Sequence, residues 1–158
     1  MERPHAMKTV ALVSVTAAAT AVLMQACGGG GVAMAADASD PMVGVWDVAV
    51  TVKDCTSGAA LASFKSMALM QSGGTMVGGA ETYGVWKREN DGTYTVTLQF
   101  YLTNTDGSPA GVQKVKATRT LSASGNSYTS TIQRWKVDTQ GNAGPMGCAA
   151  EAATRASW

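Results

Sequence analysis

The chain has 158 residues, with twelve Lys and Arg against eleven Asp and Glu, and one histidine. So balanced a charge leaves no basic stripe for a phosphate backbone, which excludes nucleic acid as the expected partner. The length fits one domain with a single core.

The first segment is for targeting. Arg3, His5 and Lys8 precede an uncharged run over residues 10–24, roughly 15 residues against the ~20 that span hydrocarbon as a helix. This reads as the apolar region of a signal peptide. Met24-Gln25-Ala26-Cys27 followed by Gly28–Gly31 resembles the start of a bacterial lipoprotein precursor. In that pattern the Cys27 thiol is acylated and residues 1–26 are removed. The preferred pattern has Leu three places before the cysteine, whereas Leu23 sits one position early. The alternative is cleavage after Ala33-Met34-Ala35 and plain secretion or a periplasmic location. Acyl chains on Cys27 would bind a lipid membrane with ~0.8 kcal/mol per buried methylene. Gly28 rather than Asp at the next position points to the outer membrane. The expected division is a signal peptide over 1–26, a flexible tether over 27–42 and a folded domain over 43–158. Processing at Cys27 removes Arg3, Lys8 and Glu2, leaving ten basic and ten acidic residues.

From residue 43 onward, short extended segments alternate with turn residues, and no long helical period appears. Residues 45–54 place Trp46, Val48, Val50 and Val52 on one face. Residues 61–71 and 75–77 follow, each ended by paired glycines. Residues 83–89 run into Asn90-Asp91-Gly92, a hairpin signal because these residues tolerate positive φ. Residues 93–103 alternate best, with Tyr94, Val96, Leu98, Phe100 and Leu102 on one side. Residues 112–122 form a sixth segment and 128–138 a seventh. In the seventh the apolar face switches from Ile132 to Trp135 and Val137, which predicts a bulge. Residues 146–155 are the last. About eight antiparallel strands joined by short turns predict an all-β fold, a closed up-and-down barrel, because closure removes exposed sheet edges. A two-sheet sandwich is the alternative.

Three cysteines in an exported chain leave one over, and lipidation of Cys27 accounts for it. Cys55 and Cys148 are then expected to pair as a disulfide, worth up to ~4.7 kcal/mol for a loop of this length. Register supports this. If the first and last strands close the barrel, one alignment brings Cys55 to Cys148 and Trp46 to Arg155. Arg155 can then lie over the Trp46 ring and close that end, a contact of ~0.5–2 kcal/mol.

Gly44-Val45-Trp46 on the first strand, with Arg155 at the end, resembles the calycin pattern of lipocalins and related barrels. There, the tryptophan plugs one barrel end under a late basic side chain. Gly84-Val85-Trp86 echoes the tripeptide. With Asp54-Cys55, Gly73-Gly74-Thr75-Met76 and Gly147-Cys148 before Thr154-Arg155, the sequence is also similar to small uncharacterised proteobacterial lipoproteins, themselves similar to allene oxide cyclase-type barrels. The resemblance covers most of residues 43–155. It implies a calycin-like barrel and carries over no catalytic residue.

The chemistry on offer is narrow. The lone histidine, His5, lies in the segment expected to be removed, which argues against Ser-His-Asp or Cys-His catalysis and against the commonest zinc ligand. No cofactor or metal site is expected. The carboxylates Asp47, Asp54, Glu81, Glu89, Asp91, Asp106, Asp138 and Glu151 fall mostly at strand ends and turns. Glu151 shares a face with Arg155 and is a candidate for its ion-pair partner. Trp86, Tyr94, Phe100 and Trp135 are candidates for lining a cavity, since an eight-stranded barrel is just wide enough to be packed solid or to hold one small ligand. Three readings follow: a non-enzymatic envelope barrel binding a small apolar or amphipathic ligand; a filled barrel acting as an interaction or structural protein or surface antigen through its outer face; or a histidine-free cyclase or isomerase. No protein partner is indicated.

Overall fold

In a computed structural model, the described residues are 39–79 and 81–157; the expected signal segment, Cys27 and residues 28–38 lie outside them. Eight strands follow one another: β1 (Gly44–Lys53), β2 (Ala60–Met70), β3 (Thr75–Gly78), β4 (Thr82–Arg88), β5 (Tyr94–Thr103), β6 (Pro109–Leu121), β7 (Ser127–Val137) and β8 (Gly147–Arg155). Each pairs antiparallel with the next, and β8 pairs back to β1, closing an up-and-down barrel. The sandwich alternative is excluded by that last ladder.

Alternation of side chains across the pleat decides what fills the interior. Trp46 and Val48 on β1 are buried, and the alternate residues Asp47 and Ala49 are exposed. On β6 Val115, Ala117 and Arg119 point in while Lys114, Lys116 and Thr118 point out. The core is concentrated at one end, around Trp46, Met70, Met76, Trp86, Tyr94 and Tyr128.

The turns share one device. Asp54, Asp91, Asp106 and Asp138 each accept, through Oδ1, the backbone N–H two residues on, from Thr56, Thr93, Ser108 and Gln140. The side chain thereby mimics a backbone turn. These bonds favour the ionised carboxyl, so all four sit below the usual carboxylate range. The first causes are the Ser57 N–H for Asp54 and the Thr93, Ser108 and Asn142 side chains for the other three. Glu81, at φ 54°, is an exposed turn residue between β3 and β4.

The bulge expected in β7 is absent: its ladder to β6 runs without a shift from Val137 to Tyr128. The apolar pattern changes there because Arg134, not Trp135, occupies the inner face. The register shifts lie on other strands, beside Leu61 on β2 and Ala110 on β6, at the barrel end where β7 finishes.

In the β1–β8 ladder Trp46 opposes Arg155 and Lys53 opposes Cys148. Cys55, two residues beyond Lys53, reaches Cys148 and bonds to it across a Cα–Cα distance of 5.2 Å.

Candidate functional site

One end of the barrel is shut by a layered plug. The Arg155 guanidinium lies 4.4 Å above the Trp46 ring and donates to the carbonyls of Pro41, Val43 and Gly125. Gly44 is required beneath it. Its φ is +138°, and an added Cβ would collide with the Arg155 guanidinium. The glycine of Gly-Val-Trp thus clears space for the cation that stacks on the tryptophan two residues later.

Residues 40–42, part of the expected tether, belong to this plug. Met42 is fully buried, its carbonyl accepts Trp46 Nε1–H at 3.0 Å, and Asp40 accepts the Tyr94 hydroxyl at 3.0 Å. Burial, then that bond, pushes the Tyr94 hydroxyl up to about 12. Trp86 seals the same end, donating from Nε1 to the carbonyls of Gln71 in the β2–β3 turn and Thr75 at the start of β3. The two Gly-Val-Trp tripeptides therefore do different work. Gly84 has no side chain because a Cβ would meet Leu98 Cβ at 2.7 Å.

Beneath the plug lies a buried ion pair. Arg119 Nε and Nη2 contact Glu151 Oε2 at 3.2 and 3.1 Å, with side-chain exposures of 1% and 9%. Arg119 also stacks 4.6 Å from the Tyr128 ring and donates to Met70 Sδ at 3.2 Å. Glu151 faces inward as expected, but Arg119 is its partner, not Arg155, whose guanidinium is committed to three carbonyls. Arg119 was legible as a basic residue on the apolar face of its strand, in phase with Val115, Ala117 and Leu121. The Tyr128 hydroxyl is buried without a hydrogen-bond partner, and burial raises its pKa.

Below the ion pair the interior is hollow. A cavity of about 1330 Å³ is lined by Val48, Val50, Phe64, Leu98, Phe100, Val115, Ile132 and Ala149, with Gln113, Arg134 and the floor residues Arg119, Tyr128 and Glu151. Its wall is incomplete. The β3–β4 hairpin is short: β3 pairs with β2 from Ala68 to Met70, and β4 reaches β5 no further than Gln99. The rest of β2, from Ala60 to Met67, and of β5, from Phe100 to Thr103, carries a ladder on one side only. The resulting notch bares Phe64, which is 54% exposed although it opposes inward-facing Val50.

Of the residues expected to line a cavity, Phe100 does so. Trp86 and Tyr94 face inward but are consumed by the packed end, their rings 5.9 Å apart. Trp135 opposes outward-facing Lys114 and belongs to the outer face. The residues missed were Arg119 and Arg134, both inward-facing and bordering the cavity. Among the described residues no cluster of three His, Cys, Asp or Glu converges. Comparison with protein families, with characterised proteins and with solved structures finds no match for this chain.

Proposed function

We propose that this barrel holds a small apolar or amphipathic molecule in its interior, without catalysing its conversion, while Cys27 anchors the protein to the bacterial envelope. The cavity carries this reading. Its volume exceeds the ~300–1,000 Å³ usual for small-molecule sites, and its lining combines apolar walls with a few polar groups, as such sites do. Covering apolar walls of this extent removes them from water, which favours an apolar guest. The calycin resemblance and the stack of Arg155 on Trp46 agree with it.

Binding of a neutral apolar fluorophore such as N-phenyl-1-naphthylamine to the purified residue 39–158 domain, with its disulfide intact, tests the reading. The expected result is saturable one-to-one binding that weakens in Ala149→Trp, where the added indole takes up part of the cavity, while the variant keeps the wild-type circular dichroism spectrum. Unaltered binding in that variant would place the site outside the barrel. Anchoring is tested separately: Cys27→Ser should move the protein from the membrane to the soluble fraction.

The reading in which the outer face is the working surface draws on the notch. There β2 offers an unpaired edge to a partner's strand, beside the exposed side chains of Leu61, Phe64 and Met67.

A further inference from the structure

The proposal concerns the head group of the ligand and rests on the cavity being a binding site. Charge inside the barrel is almost cancelled, but not quite. Arg119 is neutralised by Glu151 at the floor. Arg134 has no such partner: no carboxylate lies within ion-pair distance of it among the described residues. Its Nε–H is buried with no acceptor.

Its position is built by the fold. Arg134 opposes Val115 on β6 and Gly147 on β8, both on the inner face. At Gly147 a Cβ would stand 3.2 Å from Arg134 Nε and 3.4 Å from its Cγ. The absence of a side chain there lets the arginine lie across β8 at the edge of the cavity. Gln113, buried on the neighbouring strand, is its diagonal neighbour, since it opposes Lys136 two residues along β7. A second cation, Lys136, therefore stands at the rim on the same strand face. A buried guanidinium N–H without an acceptor is unfavourable, and a carboxylate or phosphate satisfies the guanidinium fork through paired, charge-assisted bonds. Arg134 and Tyr128 lie on one strand, six residues and so roughly 20 Å apart. The apolar wall between them gives a tail its path toward the floor.

We infer that the ligand is an anionic amphiphile whose head group binds Arg134 at the mouth while its apolar tail lies against Leu98, Phe100 and Ile132.

Displacement of N-phenyl-1-naphthylamine by dodecanoate, dodecyl phosphate and dodecanol tests this at neutral pH. The two anions should bind about ten- to a hundred-fold more tightly than the alcohol, the range expected for hydrogen bonds to a charged group. The tighter anion identifies the head group as carboxylate or phosphate. Arg134→Gln should abolish the anion preference, bringing both anions to the affinity of dodecanol. Gln113→Glu places a carboxylate beside the intact guanidinium, and it should erase the same preference without removing the arginine. Equal affinity of the alcohol and both anions for the wild-type protein overturns the head-group inference and leaves the cavity reading standing. Retention of the anion preference in Arg134→Gln overturns it as well. Failure of the fluorophore to bind, or of any amphiphile to displace it, overturns both.

Discussion

Glu151→Gln isolates the ion pair at the cavity floor. The substitution keeps the shape of the side chain and removes its charge, stranding a guanidinium that is 1% exposed. Breaking a buried pair from one side costs ~3–5 kcal/mol. Two features place this site at the lower end. Arg119 keeps its stack on Tyr128 at 4.6 Å and its bond to Met70 Sδ, and the residue 151 side chain, 9% exposed, borders the cavity, through which water can reach it. The expected loss is therefore about 3 kcal/mol, a large share of the ~5–15 kcal/mol that stabilises a domain. At ~3–5 °C per kcal/mol for a barrel of this size, the melting temperature should fall by roughly 10–15 °C. Urea unfolding followed by tryptophan fluorescence suits the measurement, because Trp46 packs 5.0 Å from Tyr128 and reports on that end. The companion variant Arg119→Met/Glu151→Leu replaces both charges with apolar groups and should return to within about 1 kcal/mol of wild type. A loss below about 0.5 kcal/mol in Glu151→Gln, or a double variant less stable than the single one, would refute the reasoning.

The other predictions concern the closure elements and the orphaned hydroxyl. Cys55→Ser/Cys148→Ser should cost ~2–4 kcal/mol in denaturant unfolding, yet the β1–β8 hydrogen bonds should keep their protection in amide exchange because the ladder closes the barrel independently. Arg155→Lys keeps the charge but loses the planar fork that reaches three carbonyls; a fall of about 1–3 kcal/mol is expected, and unchanged stability would show that charge alone closes the end. Tyr128→Phe removes a buried hydroxyl that has no partner, so the apo protein should become more stable by about 1 kcal/mol, the reverse of an ordinary core truncation. Tyr94 is held protonated up to about 12 in the fold, against 10 when unfolded. Its contribution is therefore complete below pH 10 and is lost as the pH rises through about 12. Tyr94→Phe should flatten the decline of stability over that window, and an identical alkaline profile would count against the assignment.

How much was legible in the sequence varied with the range of the interaction. Period-two alternation and turn chemistry are local, so eight strands could be counted from them, and the Asp-led turns formed where Asp54, Asp91, Asp106 and Asp138 stand. Cys55 with Cys148 and Trp46 with Arg155 were also within reach, because antiparallel register makes opposed residue numbers sum to a constant once closure is assumed. Local pattern failed where a polar side chain takes an inner position. At β7 the apolar phase seemed to break at Trp135, when in fact Arg134 points inward at an unshifted register and Trp135 points out. The same blindness paired Glu151 with Arg155, since nothing along one strand says that Arg119, 32 residues away, reaches over Ser130 on the intervening strand to meet it. Whether the barrel is hollow lay further still beyond the sequence. Interior volume depends on strand closure, on a β3–β4 hairpin too short to complete the wall, and on how far Trp46, Trp86 and Tyr94 crowd into one end. Each is a sum over side chains from all eight strands. Alternation and turn residues alone determined the strands of this chain; only tertiary packing decided that they enclose a plug, an ion pair and a cavity.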